Sequence, residues 1–167
     1  LSDSFIGLIA AFSANAISAG VGAFIGGWLC DKLGRKTIYQ YDMLFYAFGM
    51  MFLIFASAAW MIIAGFVLVG LAVGADIPAS WSLIAEEAPD KARGRHSGVA
   101  QMLWNLGPVV VLGAAYFLQP FGIDGERWLF IHLAVIALAL TFLRAKMRES
   151  HRWEEKQAAL GAKAGSI

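Results

Sequence analysis

Long stretches of this chain contain no Asp, Glu, Lys or Arg over lengths that few soluble folds tolerate, among them Phe5 to Cys30 and Met43 to Ala75. About 20 residues at ~1.5 Å each cross the ~30 Å hydrocarbon core of a bilayer as a helix, and only helices and closed barrels satisfy their backbone there. No strand-forming alternation is evident, which leaves helices. Composition agrees, with 59% hydrophobic and 15% charged residues and a mean hydropathy of +0.66, too apolar for a soluble domain of this size.

The first run spans once, at 5–30. The second would overshoot the bilayer as one helix, and its flanking cations, Lys36 and Lys91, belong on one side if it folds back. It is therefore divided into helices at 38–57 and 60–85, turning at Ala58 and Ala59. A fourth helix is expected at 96–118. The segment Gln119 to Gly125, with Pro120, Gly122 and Gly125, stops it before a fifth at 128–143. The expected fold class is all-α, a polytopic membrane bundle of five transmembrane helices. Residues 1–155 form the helical domain and 156–167, rich in Ala, Gly and Lys, begin a cytosolic linker.

Charge fixes the orientation. Lys32, Arg35 and Lys36 lie in the first loop, Lys91, Arg93 and Arg95 in the third, and Arg144, Lys146, Arg148, Arg152, Lys156 and Lys163 after the last span, leaving only Arg127 on the other face. Cytoplasmic loops carry the excess of Lys and Arg, so those three segments are cytosolic and the Leu1 end is external. Trp28 and Trp153 then sit at the inner boundary and Trp60 and Trp128 at the outer one, as interfacial aromatics do.

The loop Gly26-Gly27-Trp28-Leu29-Cys30-Asp31-Lys32-Leu33-Gly34-Arg35-Lys36-Thr37 turns sharply at Gly27 and Gly34, with Asp31 accepting hydrogen bonds at a helix end. It resembles the loop between helices 2 and 3 of the major facilitator superfamily. Glu86-Glu87-Ala88-Pro89-Asp90-Lys91-Ala92-Arg93-Gly94-Arg95 is similar to the segment closing helix 4 in the sugar porter branch, with Pro78 where that branch has its helix 4 proline. Glu149-Ser150-His151-Arg152-Trp153 is similar to the segment after helix 6, with both of its prolines replaced. The resemblance covers Leu1 to about Glu155 and equates the five spans with helices 2 to 6, so helix 1 and the C-terminal half of such a transporter would lie outside the chain.

The resemblance implies a secondary active transporter working by alternating access, sugar or polyol:proton symport, with a small solute, the proton and the lipid bilayer as partners. It also implies an inner gate: the cytosolic ends of helices 2, 4 and 6 would bring Asp31, Arg35, Glu86, Arg93, Arg95, Glu149 and Arg152 within reach of one another. Surface ion pairs of this kind are worth ~0 to 1 kcal/mol each. The alternative is that these charges only anchor the loops in water.

For the solute, Gly98, Gln101, Asn105 and Pro108 share one stripe of the fourth helix, with Trp104 beside it. Carboxamides donate and accept, and an aromatic face packs on pyranose C–H groups, which suits a polyhydroxylated ligand. Gln101 falls where the sugar porters have a sugar-binding glutamine. The alternative is hydrogen bonding between helices. Asn15, Ser18, Gly22 and Gly26, the pair Gly70 and Gly74, and the pair Gly94 and Gly98 are read as close-packing positions.

Asp76 is read as the one carboxylate deep in an apolar span, ten residues from Glu86, or ~15 Å. A charge there must pair with a cation or take up a proton. With no Arg or Lys in the five spans, protonation is expected unless helices outside the chain supply a cation, which makes Asp76 the proton-coupling candidate. The structural alternative is that neutral Asp76 bonds the Gly74 carbonyl freed by Pro78. Phe66 replaces an arginine common in sugar porters, and Gly74-Ala75-Asp76-Ile77-Pro78 is also similar to a motif of phosphate symporters, so a phosphate or organic-anion symporter is the second reading and a non-transporting sensor the third.

An enzyme is not expected. There is no nucleotide-binding loop, His96, His132 and His151 are scattered, and the lone Cys30 reads as an apolar filler that neither bridges nor builds a metal cluster. No cofactor, metal or nucleic acid is implied.

Overall fold

A computed structural model describes residues 2–89 and 91–146, with residues 155, 158 and 159. Among the described residues five long α-helices follow one another: α1 Ser2–Leu33, α2 Arg35–Ile54, α3 Ala59–Glu87, α4 Arg93–Leu118 and α5 Gly122–Ala145. A 3₁₀ turn, Gln119–Phe121, separates α4 from α5. No strand occurs among the described residues.

The helix boundaries lie near the expected ones, with differences at the α1–α2 turn and at the start of α5. Gly27 lies inside α1, and Gly34 alone makes the turn into α2, at φ 95°. That left-handed region is open to glycine and strained for other residues. The fifth helix begins at Gly122, six residues before the expected start at Trp128. Pro120 is accommodated in the 3₁₀ turn, and Gly122, at φ 57°, redirects the chain there. Gly125 meets the end of α4, where a Cβ would overlap the Leu118 carbonyl.

Helix α3 is the centre of the packing, with α1 against one side, α2 against another, and α5 leaning on α2. The α1–α3 contact brings backbones together. A Cβ on Gly22 would overlap the Leu71 carbonyl, one on Gly26 would strike Ala75, and on α3 a Cβ at Gly74 would overlap the Ala19 carbonyl. Lipid gives helices no hydrophobic reason to associate, so small residues that permit such approach supply the packing. Asn15 adds an interhelical bond from Nδ2 to the Phe66 carbonyl, 2.9 Å. The close-packing reading therefore holds for α1 and α3. Among the described residues it has no counterpart at Gly94 and Gly98, where nothing stands within 4 Å of a Cβ.

The apolar core lies along the α2–α3–α5 seam, where Met50, Leu53, Val69 and Ala134 are buried and Phe66 and Phe130 pack around them. Outward faces carry bare large side chains such as Phe12, Phe24, Phe117 and Phe142, a distribution that in water would form one continuous sticky surface. Among the described residues three stretches are long and apolar enough to cross a membrane: Ile9–Leu33, Ala59–Glu86 and Gly94–Ala145. The third holds both α4 and α5. Helix α2, with Gln40, Asp42 and three tyrosines, is not among them.

Candidate functional site

At the α1–α2 turn, Arg35 reaches across to the end of α3. Its Nη2 lies 2.9 Å from Glu86 Oε1 and 3.6 Å from Asp31 Oδ1. Arg35 and Glu86 are only 14% and 15% exposed, whereas Asp31 is 64% exposed. The Arg35–Glu86 pair is thus more enclosed than the surface pairs expected, and breaking an enclosed pair leaves the other charge uncompensated. Of the seven residues expected in the inner charge network, the structure brings together Asp31, Arg35 and Glu86. Arg95 is exposed. The Arg93 side chain and residues Glu149 and Arg152 lie outside what is described.

A second cluster was not expected at all. Arg144, in the last turn of α5, turns back toward the bundle and places Nη1 3.0 Å from Asp42 Oδ1 on α2 and 2.9 Å from Asp76 Oδ1 on α3. The same nitrogen donates to the Tyr39 carbonyl at 2.8 Å, and the guanidinium lies 3.6 Å from the Tyr39 ring centroid. A planar guanidinium can stack on an aromatic face while its edge serves carboxylates, which an ammonium cannot do. Asp42 is 1% exposed, Arg144 11% and Asp76 16%. The second Asp42 oxygen, Oδ2, is buried without a hydrogen-bond partner among the described residues.

Three expectations about Asp76 change accordingly. Asp76 is not the one buried carboxylate, because Asp42 is more enclosed. It does have a cation, because the long Arg144 side chain reaches inward from a helix end that the sequence assigns to the cytosolic flank. It does not mend the Pro78 break, since the described side-chain bonds there come from Ser82 to the Pro78 carbonyl, 2.7 Å, and from Ser80 to the Ile77 carbonyl, 3.1 Å. A signal for Asp42 was present in the sequence. Asp42, Tyr46, Gly49 and Leu53 recur at helical spacing on the stripe of α2 that faces the core.

The polar stripe of α4 stands apart from this cluster. Residues 101–110 are all exposed. Asn105 Nδ2 bonds the Gln101 carbonyl one turn back, 2.7 Å, which places both residues on one face. Gly98, Gln101, Asn105 and Val109 line an open groove of ≈ 590 Å³, and Trp104 is 52% exposed. The bond of Asn105 stays within α4, so it does not act as glue between the described helices. No group of three or more His, Cys, Asp or Glu side chains among the described residues is placed to hold a metal ion.

The profile of the "Sugar (and other) transporter" family matches residues 3–164. The chain belongs to that family. It is similar to the minor myo-inositol transporter IolF of Bacillus subtilis, with 50% identity over 93% of this chain and 36% of that protein. It is also similar to the galactose-proton symporter of Escherichia coli, with 31% identity over 84% of this chain and 30% of that protein. The solved major facilitator superfamily proton:xylose symporter XylE of E. coli superposes with a TM-score of 0.84 at 19% identity, covering 94% of this chain and 38% of that one.

This member of the sugar transporter family therefore has the major facilitator fold and is a multi-pass protein of the cell membrane. It spans about a third of the length of the curated relatives it matches. These relatives are named as transporters, none as an enzyme. The family membership agrees with the three motif resemblances, two of which, at the α1–α2 turn and at the end of α3, meet in the Arg35–Glu86 pair.

Proposed function

We propose that this chain is part of the N-terminal helical domain of a secondary active transporter that carries a sugar or polyol, an inositol foremost, together with protons by alternating access. The observation that carries the reading is the 50% identity over 93% of the chain to a protein named a myo-inositol transporter. In this reading α1 to α5 are five membrane spans of the domain at 1–155, including the more polar α2, and 156–167 begin the linker to the second half.

Within it the groove on α4 faces the solute path. Gln101 and Asn105 offer donors and acceptors to hydroxyl groups, and Trp104 offers a face to C–H groups. Asp31, Arg35 and Glu86, with Arg93, Arg95, Glu149 and Arg152, form the inner gate. Its pairs hold in one access state and part in the other, so each contributes to the difference between the two. Asp76 is the proton-coupling carboxylate, acting with Arg144 as its cation rather than alone.

The test is uptake of a labelled panel of inositols, hexoses and inorganic phosphate by the full-length protein in proteoliposomes, with and without an imposed pH gradient. Saturable inositol or sugar uptake raised by the gradient is the expected outcome. Uptake of phosphate with no response to sugars or polyols would contradict it.

A further inference from the structure

The Arg144 cluster contains two carboxyl groups and one cation. The groups facing Asp42 are Tyr39 from α2, Asp76 from α3 and Arg144 from α5. The α1 residues lining the cleft beside it, Gly22, Ile25, Gly26 and Leu29, carry no ionisable side chain. With both carboxyls ionised the site would hold one uncompensated negative charge inside the bundle. Nη1 has two hydrogens and three acceptors within 3.0 Å, so it cannot give a full bond to each of them. Asp42 Oδ2, on a side chain 1% exposed, receives none from the described residues. Two carboxyls sharing one site do not both ionise when burial strengthens their repulsion, and an added proton removes the excess charge.

We propose that Asp42 and Asp76 form a one-proton site bridged by Arg144, in which Asp42 carries the proton and Asp76, the more exposed carboxyl, exchanges it with water. This deepens the transport reading and rests on it for its purpose. The proton comes from the aqueous phase and bonds to a carboxylate oxygen of Asp42, leaving Arg144 paired with Asp76 alone. Arg144 then keeps Tyr39 on α2 and Asp76 on α3, and α5 loses its ionic tie to Asp42 on α2. When the proton leaves, that tie to Asp42 is restored. Occupancy of the site is thereby converted into a difference in helix contacts, which is what coupling a proton to a conformational change requires.

The test is infrared titration of the full-length protein in lipid, without solute, following the C=O band of protonated carboxyl groups in difference spectra between wild type and variants. At neutral pH the wild type should show one protonated carboxyl that Asp42→Asn removes. Asp76→Asn should remove it as well, because Arg144 then neutralises Asp42 by itself. Should Asp42→Asn fold poorly, Asp76→Asn carries the same expectation. A wild-type spectrum indistinguishable from both variants would overturn the site. Since no solute enters the measurement, a band present in a protein that moves no sugar would leave the site standing and contradict the transport reading alone. Intact pH-driven uptake without the band would do the reverse.

Discussion

Arg144 and Asp76, 68 positions apart in the chain, meet at 2.9 Å between Nη1 and Oδ1. With Asp42 on the same nitrogen, this contact ties α5 to both α2 and α3 in the apolar interior. Removing the cation should therefore cost more than removing a surface charge. Arg144→Gln is expected to destabilise the protein by about 3 to 5 kcal/mol, the range for stripping one partner from a buried charge cluster. Arg144→Lys should recover part of that loss, because the ammonium keeps the charge but cannot stack flat on Tyr39 while serving both carboxyls. Thermal unfolding of the purified variants checks the order wild type, Lys, Gln.

The α1–α3 seam makes a second prediction. Gly74→Ala inserts a methyl where the Ala19 carbonyl already stands, and overpacking of this kind costs about 1 to 3 kcal/mol or more where the obstacle is backbone. Gly94→Ala, with nothing within 4 Å, should stay within roughly 0.5 kcal/mol of wild type. Equal stability of the two variants would remove the close-packing account of the seam.

Membrane orientation is tested by accessibility. Twelve of the thirteen Lys and Arg residues fall on the side assigned to the cytosol. In a background lacking Cys30, a cysteine at Asp124, whose side chain is 75% exposed, should react with an impermeant external thiol reagent. One at Lys91 should not. The α4–α5 turn calls for Asp124 rather than the adjacent Gly125, whose Cβ would overlap the Leu118 carbonyl.

Much of the helical layout was legible in the sequence, because charge-free runs and glycine or proline breaks act locally: α1, α2, α3 and α4 begin and end within a few residues of where these signals put them. The start of α5 was not, since Pro120 and Gly122 read as a terminator and the structure uses them as a tight turn between two helices. The Arg35–Glu86 pair could be anticipated from two motifs, at the first and third turns, that charge places on the same side. The Arg144 cluster could not, because charge counting assigns Arg144 to the aqueous flank. Only the direction of its long side chain, set by the packing of α5 on α2, shows that it serves Asp42 and Asp76. Asp42 borders a charge-free run rather than interrupting one, so charge counting does not single it out, although its helical spacing marks it as core.

The α4 groove gives a fourth prediction. If Gln101 contacts the solute, Gln101→Ala should weaken apparent affinity by about 1 to 3 kcal/mol, the cost of leaving a buried polar contact unpaired. Membrane insertion and thermal stability should be unchanged, since the Gln101 side chain is exposed in the described structure. Unaltered affinity with lowered stability would instead make Gln101 a packing residue.

The central claim is that a proton handled by the carboxyls at Arg144 drives solute accumulation. Its most direct measurement is uptake of labelled myo-inositol by the full-length protein in proteoliposomes, comparing wild type with Asp76→Asn under an imposed pH gradient and in solute counterflow. Wild type should concentrate the solute only when the gradient is present, and Asp76→Asn should lose that accumulation while retaining counterflow. Wild-type accumulation by Asp76→Asn would contradict the account.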